Sequence, residues 1–299
     1  MPRMVHHVVG LAAAAALCAP TARAQTWRTV DASRQRQSAD SVLHVRVEYG
    51  AGEVSLAADS TPLLYDVRLR YDAERYAPTR HFDPAARTLT IGLDREGMSR
   101  LARARREFGV SDAERGNGTP NRLALGLAPN LPLDLMLNLG AVDADLDLSH
   151  LWLDRLVLRS GASDVKLAFG TANPRRLALL EILGGAASIR VSQLGNANAQ
   201  HVRVRTGAAS VDLDFSGAWA GDMTVDLATA LGDATVRIPP NVGVRIVMRK
   251  LLGDLGSSDL HFTKRDGAYE SDNWPDAPHK LTIDARTVLG DLTVRRTTP

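Results

Sequence analysis

Disulfide chemistry is all but absent from this sequence, whose only cysteine is Cys18. A lone thiol excludes an internal cross-link and any cysteine-based zinc site. Aromatic residues make up 5% of the chain, and they form no platform of the kind that sugar rings stack on. No apolar run approaches the ~20 residues that a spanning helix needs. Catalytic phrases are missing too. There is no Gly-x-Ser-x-Gly for a serine nucleophile and no Gly-x4-Gly-Lys phosphate cradle, and Gly50-Ala-Gly52 is followed by Ser55 where a dinucleotide fingerprint needs its third glycine. The histidines, His44, His81, His150, His201, His261 and His279, form no pair at metal-ligand spacing. Asp143, Asp145 and Asp147 imitate a calcium run, yet the glycine-rich nonapeptide and the closing glutamate are absent. Trp152, Trp219 and Trp274 are dispersed, so paired carboxylates for glycoside cleavage would lack a sugar platform. We therefore assign no catalytic, cofactor-binding or metal-binding residue.

The first 24 residues read as a secretory leader: Arg3, an uncharged stretch from Val8 to Leu17, then Ala22-Arg-Ala24 as a small-x-small cleavage site. Leu17 stands where a lipidated cysteine is normally preceded by a small residue, which argues against lipid attachment at Cys18. Cleavage near Ala24 removes the cysteine together with Arg3 and Arg23, and Lys+Arg then equals the 34 Asp+Glu. A neutral remainder has no global field for nucleic acid or an anionic membrane. The expected product is exported, periplasmic or extracellular, with no stable membrane insertion.

What the chain does have is a recurring phrase: a glycine, small residues, then apolar-polar-apolar. It reads Gly140-Ala-Val-Asp-Ala-Asp-Leu146, Gly161-Ala-Ser-Asp-Val-Lys-Leu167, Gly185-Ala-Ala-Ser-Ile-Arg-Val191, Gly207-Ala-Ala-Ser-Val-Asp-Leu213 and Gly232-Asp-Ala-Thr-Val-Arg-Ile238. Shorter echoes follow at Gly253-Asp-Leu255 and Gly290-Asp-Leu-Thr-Val294. The intervals run 21, 24, 22, 25 and 21 residues. Such spacing marks a repeat in which each unit buries its apolar face only against its neighbours. Because the units alternate with period two, they are strands. The expectation is an all-β, single-stranded β-solenoid with rungs of about 21–25 residues. Glycine turns each corner, where positive φ or close backbone approach excludes a side chain.

Alternation then assigns faces. Ala144 and Leu146, Val165 and Leu167, Ile189 and Val191, Val211 and Leu213, and Val236 and Ile238 point inward, stacked at ~4.8 Å steps. Asp145, Lys166, Arg190, Asp212, Arg237 and Arg295 form an outward column, read as a solvated face rather than a ligand strip.

The chain divides into a polar segment at 25–41, either loose or covering an edge, N-terminal strands at 42–122, central repeats at 123–239 and a closing section at 240–299. Pro62, Pro78 and Pro84 mark connections. Residues 94–122 interrupt the rhythm with crowded arginines and a short amphipathic helix near Met98 to Phe108. Phe262 to Pro278 reads as a loop, and the strands Leu281-Thr-Ile283 and Leu292-Thr-Val294 close the stack, with a polar tail guarding the last edge.

The stretches Val45 to Leu56, Leu63 to Leu69, Leu131-Pro-Leu-Asp-Leu135, Gly140 to Leu148 and Leu213-Asp-Phe-Ser-Gly217 together resemble bacterial toast-rack domain proteins. Ile238-Pro-Pro-Asn-Val-Gly-Val244, Tyr269-Glu-Ser-Asp-Asn-Trp274 and Lys280-Leu-Thr-Ile283 are similar to the C-terminal domain of LiaF-like envelope regulators and adhesin-like solenoid domains. The resemblance implies a toast-rack fold with no catalytic residues to carry over. LiaF-like proteins normally begin with membrane helices, whereas this chain begins with a leader, so direct kinase control is not implied. The functional expectation is a non-enzymatic interaction or scaffold module of the cell envelope, related to envelope stress, with a protein partner and no nucleic acid or cofactor. The alternatives are a carbohydrate-active or carbohydrate-binding solenoid and an adhesin-like self-associating surface protein. Oligomeric state is left open.

Overall fold

A computed structural model of the chain describes residues 26–95, 120–252, 254–257 and 259–297. The leader at 1–24 and the helix expected near Met98–Phe108 lie outside the described residues. Among the described residues the regular structure is strand, apart from one 3-10 turn at Leu194–Ala197. The strands are β1 (Trp27–Gln35), β2 (Leu43–Ala58), β3 (Leu63–Asp72), β4 (Tyr76–Asp83), β5 (Thr88–Arg95), β6 (Arg122–Leu127), β7 (Pro132–Asp147), β8 (Trp152–Ser160), β9 (Asp164–Ala168) and β10 (Leu179–Ser192). They continue as β11 (His201–Asp214), β12 (Met223–Leu231), β13 (Ala234–Ile238), β14 (Val242–Leu252), β15 (Leu255–Ser257), β16 (Phe262–Arg265), β17 (Ala268–Ser271), β18 (His279–Leu289) and β19 (Leu292–Arg296).

Successive repeats lie parallel and in register, as the spacing predicts. Each repeat gives one strand segment to a first sheet and one to a second. The first sheet contains β5, β2, β7, β8, β10, β11, β12, β18 and β14 in spatial order. The second contains β6, β2, β7, β9, β10, β11, β13, β19 and β15. The long strands β2, β7, β10 and β11 bend at the corner and belong to both.

The inward columns form as the alternation requires. In the first sheet Val45, Leu135, Leu156, Leu180, Val202, Val225, Ile283 and Ile246 stack in register, and all are at most 2% exposed. In the second, Ala144, Val165, Ile189, Val211, Ala234 and Leu292 also stack in register, all at most 4% exposed. Each buried aliphatic contributes ~1.5–3 kcal/mol against the chain entropy lost on folding.

The corners show why glycine recurs. Gly140, Gly161, Gly185 and Gly207 form one column. A Cβ on Gly140 would overlap the Gly50 carbonyl oxygen, and on Gly161, Gly185 and Gly207 it would stand 2.9–3.0 Å from the carbonyl oxygen of the glycine below. Close approach, not dihedral angle, demands glycine there. Gly52, Gly232 and Gly290 instead take φ of +127°, +112° and +140°, a region that L side chains rarely adopt. The repeat built on Gly232 therefore turns tighter: Ala234 stacks on Val211 and Val236 on Leu213. This moves the outward column. Asp145, Lys166, Arg190 and Asp212 are followed by Thr235 and Thr293, while Arg237 pairs with Asp214 and then Arg295.

Three further expectations need correction, and one pair of alternatives is decided. The closing strands β18 and β19 are not the end of the stack, because they lie between β12/β13 and β14/β15. At the other end β5/β6 lies outside β2, so the first and last long parallel strands, β2 and β18, each lie one rung inside the end rung. Of the two readings of the polar segment at 25–41, edge cover is the one found over 27–35: β1 pairs antiparallel with β3, which pairs antiparallel with β6, covering the second sheet's edge. Pro78 sits within β4, the edge strand of the first sheet, where a missing amide proton is tolerated. Residues 262–278 carry the antiparallel hairpin β16/β17, which caps part of β14.

Where the chain returns from the second sheet to the first, buried amides replace the glycine corner. Asn173 Nδ2 donates to the Leu153 and Ala197 carbonyls, and its Oδ1 accepts from the Leu153 amide. Asn196 Nδ2 donates to Phe169 O, and its Oδ1 accepts from Ala218 N. A third device explains the Gly-Asp echoes. Asp233 Oδ1 accepts the Asp291 amide at 3.0 Å and Asp291 Oδ1 accepts the Asp254 amide at 2.8 Å, so each aspartate ties down the start of the next rung.

Urea titration of Gly140→Ala is expected to show a loss of about 1–3 kcal/mol, because the added carbon meets backbone that cannot move aside. Gly221→Ala is expected to leave the midpoint unchanged, since a Cβ there meets nothing within 4 Å. Asn173→Ala, which orphans buried backbone groups, is expected to cost about 2–5 kcal/mol in the same assay.

Candidate interaction surface

The outer face of the first sheet carries a chain of ion pairs that crosses β10, β11, β12, β18 and β14. Arg203 meets Glu181 at 2.9 Å and Asp226 at 3.7 Å, and Arg205 meets Asp226 at 3.1 Å. Arg286 lies 3.9 Å from Asp226 and 3.4 Å from Asp284, and Arg249 completes the run 3.7 Å from Asp284. Stacking places these residues side by side, because Glu181, Arg203, Asp226 and Asp284 share one column. The arginines are the more exposed partners and the acids the more covered, so the face presents guanidinium groups to solvent. Exposed pairs of this kind are worth about 0–1 kcal/mol each. Val157 is an outward aliphatic in the same column, between Met136 and Glu181, yet it is only 1% exposed.

On the second sheet the arrangement is more local. Arg237 grips Asp212 through both terminal nitrogens, at 2.6 and 2.7 Å, a fork geometry that adds direction to charge. Arg122 pairs with Glu53 at 2.6 Å. The three aspartates that imitate a calcium run are separated in role: Asp143 stands in register with Glu53 and Asp164, Asp145 with Lys166, and Asp147 accepts the Ser149 amide. Among the described residues no three His, Cys, Asp or Glu side chains are placed to hold a metal ion.

The aromatic rings are dispersed and already engaged. Trp219 donates its indole N–H to Phe215 O at 2.9 Å and stacks with His279 at 6.1 Å. Arg70 lies over Trp27 at 4.5 Å and Lys280 over Trp274 at 5.5 Å. A shallow surface depression beside Trp219 is lined by Arg176, Asn198, Gln200 and Asp222. The only scattered histidine with a carboxylate partner among the described residues is His44, 3.1 Å from Asp134. Two outward carboxylates flanking a concave, ring-lined groove, the arrangement a glycan-cleaving reading would require, are not brought together by these residues.

Two features escaped the sequence reading. The described residues hold three exposed large hydrophobics, Leu231, Val288 and Leu289, at 48–51% exposure. Leu231 and Leu289 are register partners at the corner of β12 and β18, and nothing in a two-residue period marks corner residues as outward. The second is Tyr49, 1% exposed with a hydroxyl that has no hydrogen-bond partner. Burial, followed by Tyr76 and Glu53, pushes its pKa well above the usual tyrosine value.

A sequence family described as the N-terminal domain of toast_rack, DUF2154, matches residues 23–192. Comparison with curated proteins returns no match. Among solved structures, a candidate cell adhesion protein from Clostridium sporogenes is 15% identical, with 91% of this chain and 100% of that chain covered at a TM-score of 0.46. A candidate adhesin from Bacteroides fragilis is 10% identical, with 92% and 98% covered and a TM-score of 0.36. A further candidate adhesin from Parabacteroides merdae is 8% identical, with 91% and 96% covered and a TM-score of 0.30.

Folding favours the neutral Tyr49 phenol, so its contribution is intact below pH about 10 and is lost as pH rises beyond that. Tyr49→Phe is expected to move the alkaline unfolding midpoint to higher pH. At pH 7 it should leave stability unchanged or raise it by about 1 kcal/mol, since the hydroxyl removed has no partner. Circular dichroism against pH for the two proteins checks this.

Proposed function

The chain belongs to the toast_rack family, and we propose that it works as a non-enzymatic protein-interaction module of the cell envelope. One observation supports this most: the interior is packed with aliphatic columns from end to end, which leaves recognition to the outside of the stack. A rigid, filled body of stacked strands holds an extended surface in fixed geometry, as repeat proteins do when they bind other macromolecules. Here that surface is the guanidinium-rich outer face of the first sheet, whose pairs are too exposed to matter much for stability and so remain available for electrostatic recognition. The leader expected at residues 1–24 accounts for the envelope location. Among the described residues no helix is long and apolar enough to cross a membrane. Envelope-stress sensing is the most concrete form of the role.

Affinity capture from envelope extract with the tagged, leader-cleaved protein tests the proposal. The wild type is expected to enrich a discrete envelope protein, and the charge-neutralised triple variant Arg203→Gln, Arg205→Gln, Arg286→Gln to lose most of it, with a thermal transition that stays cooperative. Recovery of no partner, together with release of reducing sugars from envelope polysaccharide, would reverse the reading in favour of a carbohydrate-active protein.

A further inference from the structure

The two ends of the stack are not equally protected. At the end formed by β5/β6, the first sheet is closed by β4, which carries Pro78, Arg80 and Asp83, and the second by β3 and then β1, which carries Arg28, Asp31 and Arg34. Proline and charge on an edge strand discourage further pairing. At the opposite end, β14 pairs with β18 along its whole length, but the hairpin strand β17 covers only Arg245 and Ile246. Among the described residues the second edge of Val247–Leu252 has no strand against it.

The direction of its hydrogen-bonding groups can be read from the cap. The Val244 amide donates to Ser271 Oγ at 2.9 Å, on the capped side. Peptide groups alternate along a strand, so Ile246, Met248 and Lys250 present N–H and C=O to the same side, and those of Met248 and Lys250 face the uncovered edge. On the outer face, Val247 and Arg249 stand in register with Asp284 and Arg286. The Arg249 side chain is 67% exposed and that of Arg286 47%, whereas the Asp284 side chain between them is 30% exposed. Met248 is partly buried against the end of the core. The strand ends beside Leu289, its register partner at Leu252, next to the exposed Val288.

We infer that the uncovered edge of β14, Val247–Leu252, receives a short extended segment of a partner protein, with an acidic side chain opposite Arg249 and apolar side chains against Met248 and Leu289. This names the partner chemistry for the interaction role above and rests on that role. Added strands gain affinity from main-chain hydrogen bonds and specificity from alternate side chains. A second copy of the chain fits poorly. Antiparallel pairing of two such edges about their middle brings Arg249 of one beside Arg249 of the other, and like charges set against each other are destabilising. The edges at the other end of the stack, with Arg80 and His81 on β4 and Arg28 and Arg34 on β1, supply little acid.

The test is fluorescence anisotropy with two labelled octapeptides, one alternating valine and glutamate and one alternating valine and lysine, titrated with the wild type, Met248→Pro and Arg249→Glu. The glutamate peptide is expected to bind saturably and more weakly as salt is raised, and the lysine peptide not to bind. Met248→Pro, which deletes an edge amide, should abolish binding while the thermal unfolding transition stays cooperative. Arg249→Glu should weaken the glutamate peptide by about tenfold. A third variant, Arg28→Glu at the opposite end, should change nothing. The inference is overturned if the wild type binds neither peptide or both equally, or if Met248→Pro and Arg249→Glu both leave the affinity intact. Concentration-dependent dimers that Met248→Pro disrupts and the glutamate peptide cannot compete away would overturn it in favour of a second copy. If Met248→Pro still captures the envelope partner that the wild type captures, the edge inference fails while the broader interaction role stands.

Discussion

Parallel strands can stack without a break only if the backbone at every corner sits directly on the backbone below, and this constraint governs the rest of the molecule. The Gly161 amide reaches the Leu139 carbonyl at 2.9 Å, and the carbonyls of Gly140, Gly161 and Gly185 each lie where a Cβ on the next corner glycine would intrude. A side chain at that position would push adjacent rungs apart and strain the in-register pairing on both sheets. With the corner closed, the inward aliphatics fall on top of one another and the outward polar residues form columns. The asparagine and aspartate ties serve the same end on the other turns, substituting side-chain carbonyls and amides for backbone partners that a turn lacks.

A finite stack has two ends, and each exposes a sheet edge. The chain handles this by placing its first and last long strands one rung inside and returning antiparallel strands over the outside. At one end β4, β3 and β1 complete the cover, with proline and charge on the outer strands. At the other the hairpin β16/β17 is too short to reach past Ile246. The exposed leucines and valine gather next to this incomplete cap, so the least protected backbone and the least polar surface coincide.

Charge on the broad face follows from stacking rather than from any pocket. Residues 21–23 apart in sequence, such as Glu181 and Arg203 or Arg205 and Asp226, become neighbours because one rung lies on the next. The resulting pairs are shallow, and each adds little to stability.

Much of this was legible in the sequence. The glycine phrase at near-constant spacing announces parallel rungs, and the two-residue period assigns Val165, Leu167, Ile189 and Val191 to the interior, because both depend only on local geometry repeated many times. The absence of clustered histidines, of catalytic phrases and of gathered aromatics is likewise local. Spatial order was not legible: β18 and β19 carry the same phrase as their neighbours, and a phrase that fits every rung cannot say which rung it stacks upon. The shift at Gly232, which moves Arg237 out of the expected column, depends on a tighter corner that takes positive φ. The buried Tyr49 hydroxyl, the roles of Asn173 and Asn196, the ion-pair chain ending at Arg249 and the bare edge of β14 all rest on contacts between segments far apart in the chain. Repetition in the sequence determined the rung and its inside, because both follow from local geometry; only the folded stack, through which ends were capped and by what, decided which edges and faces stay open.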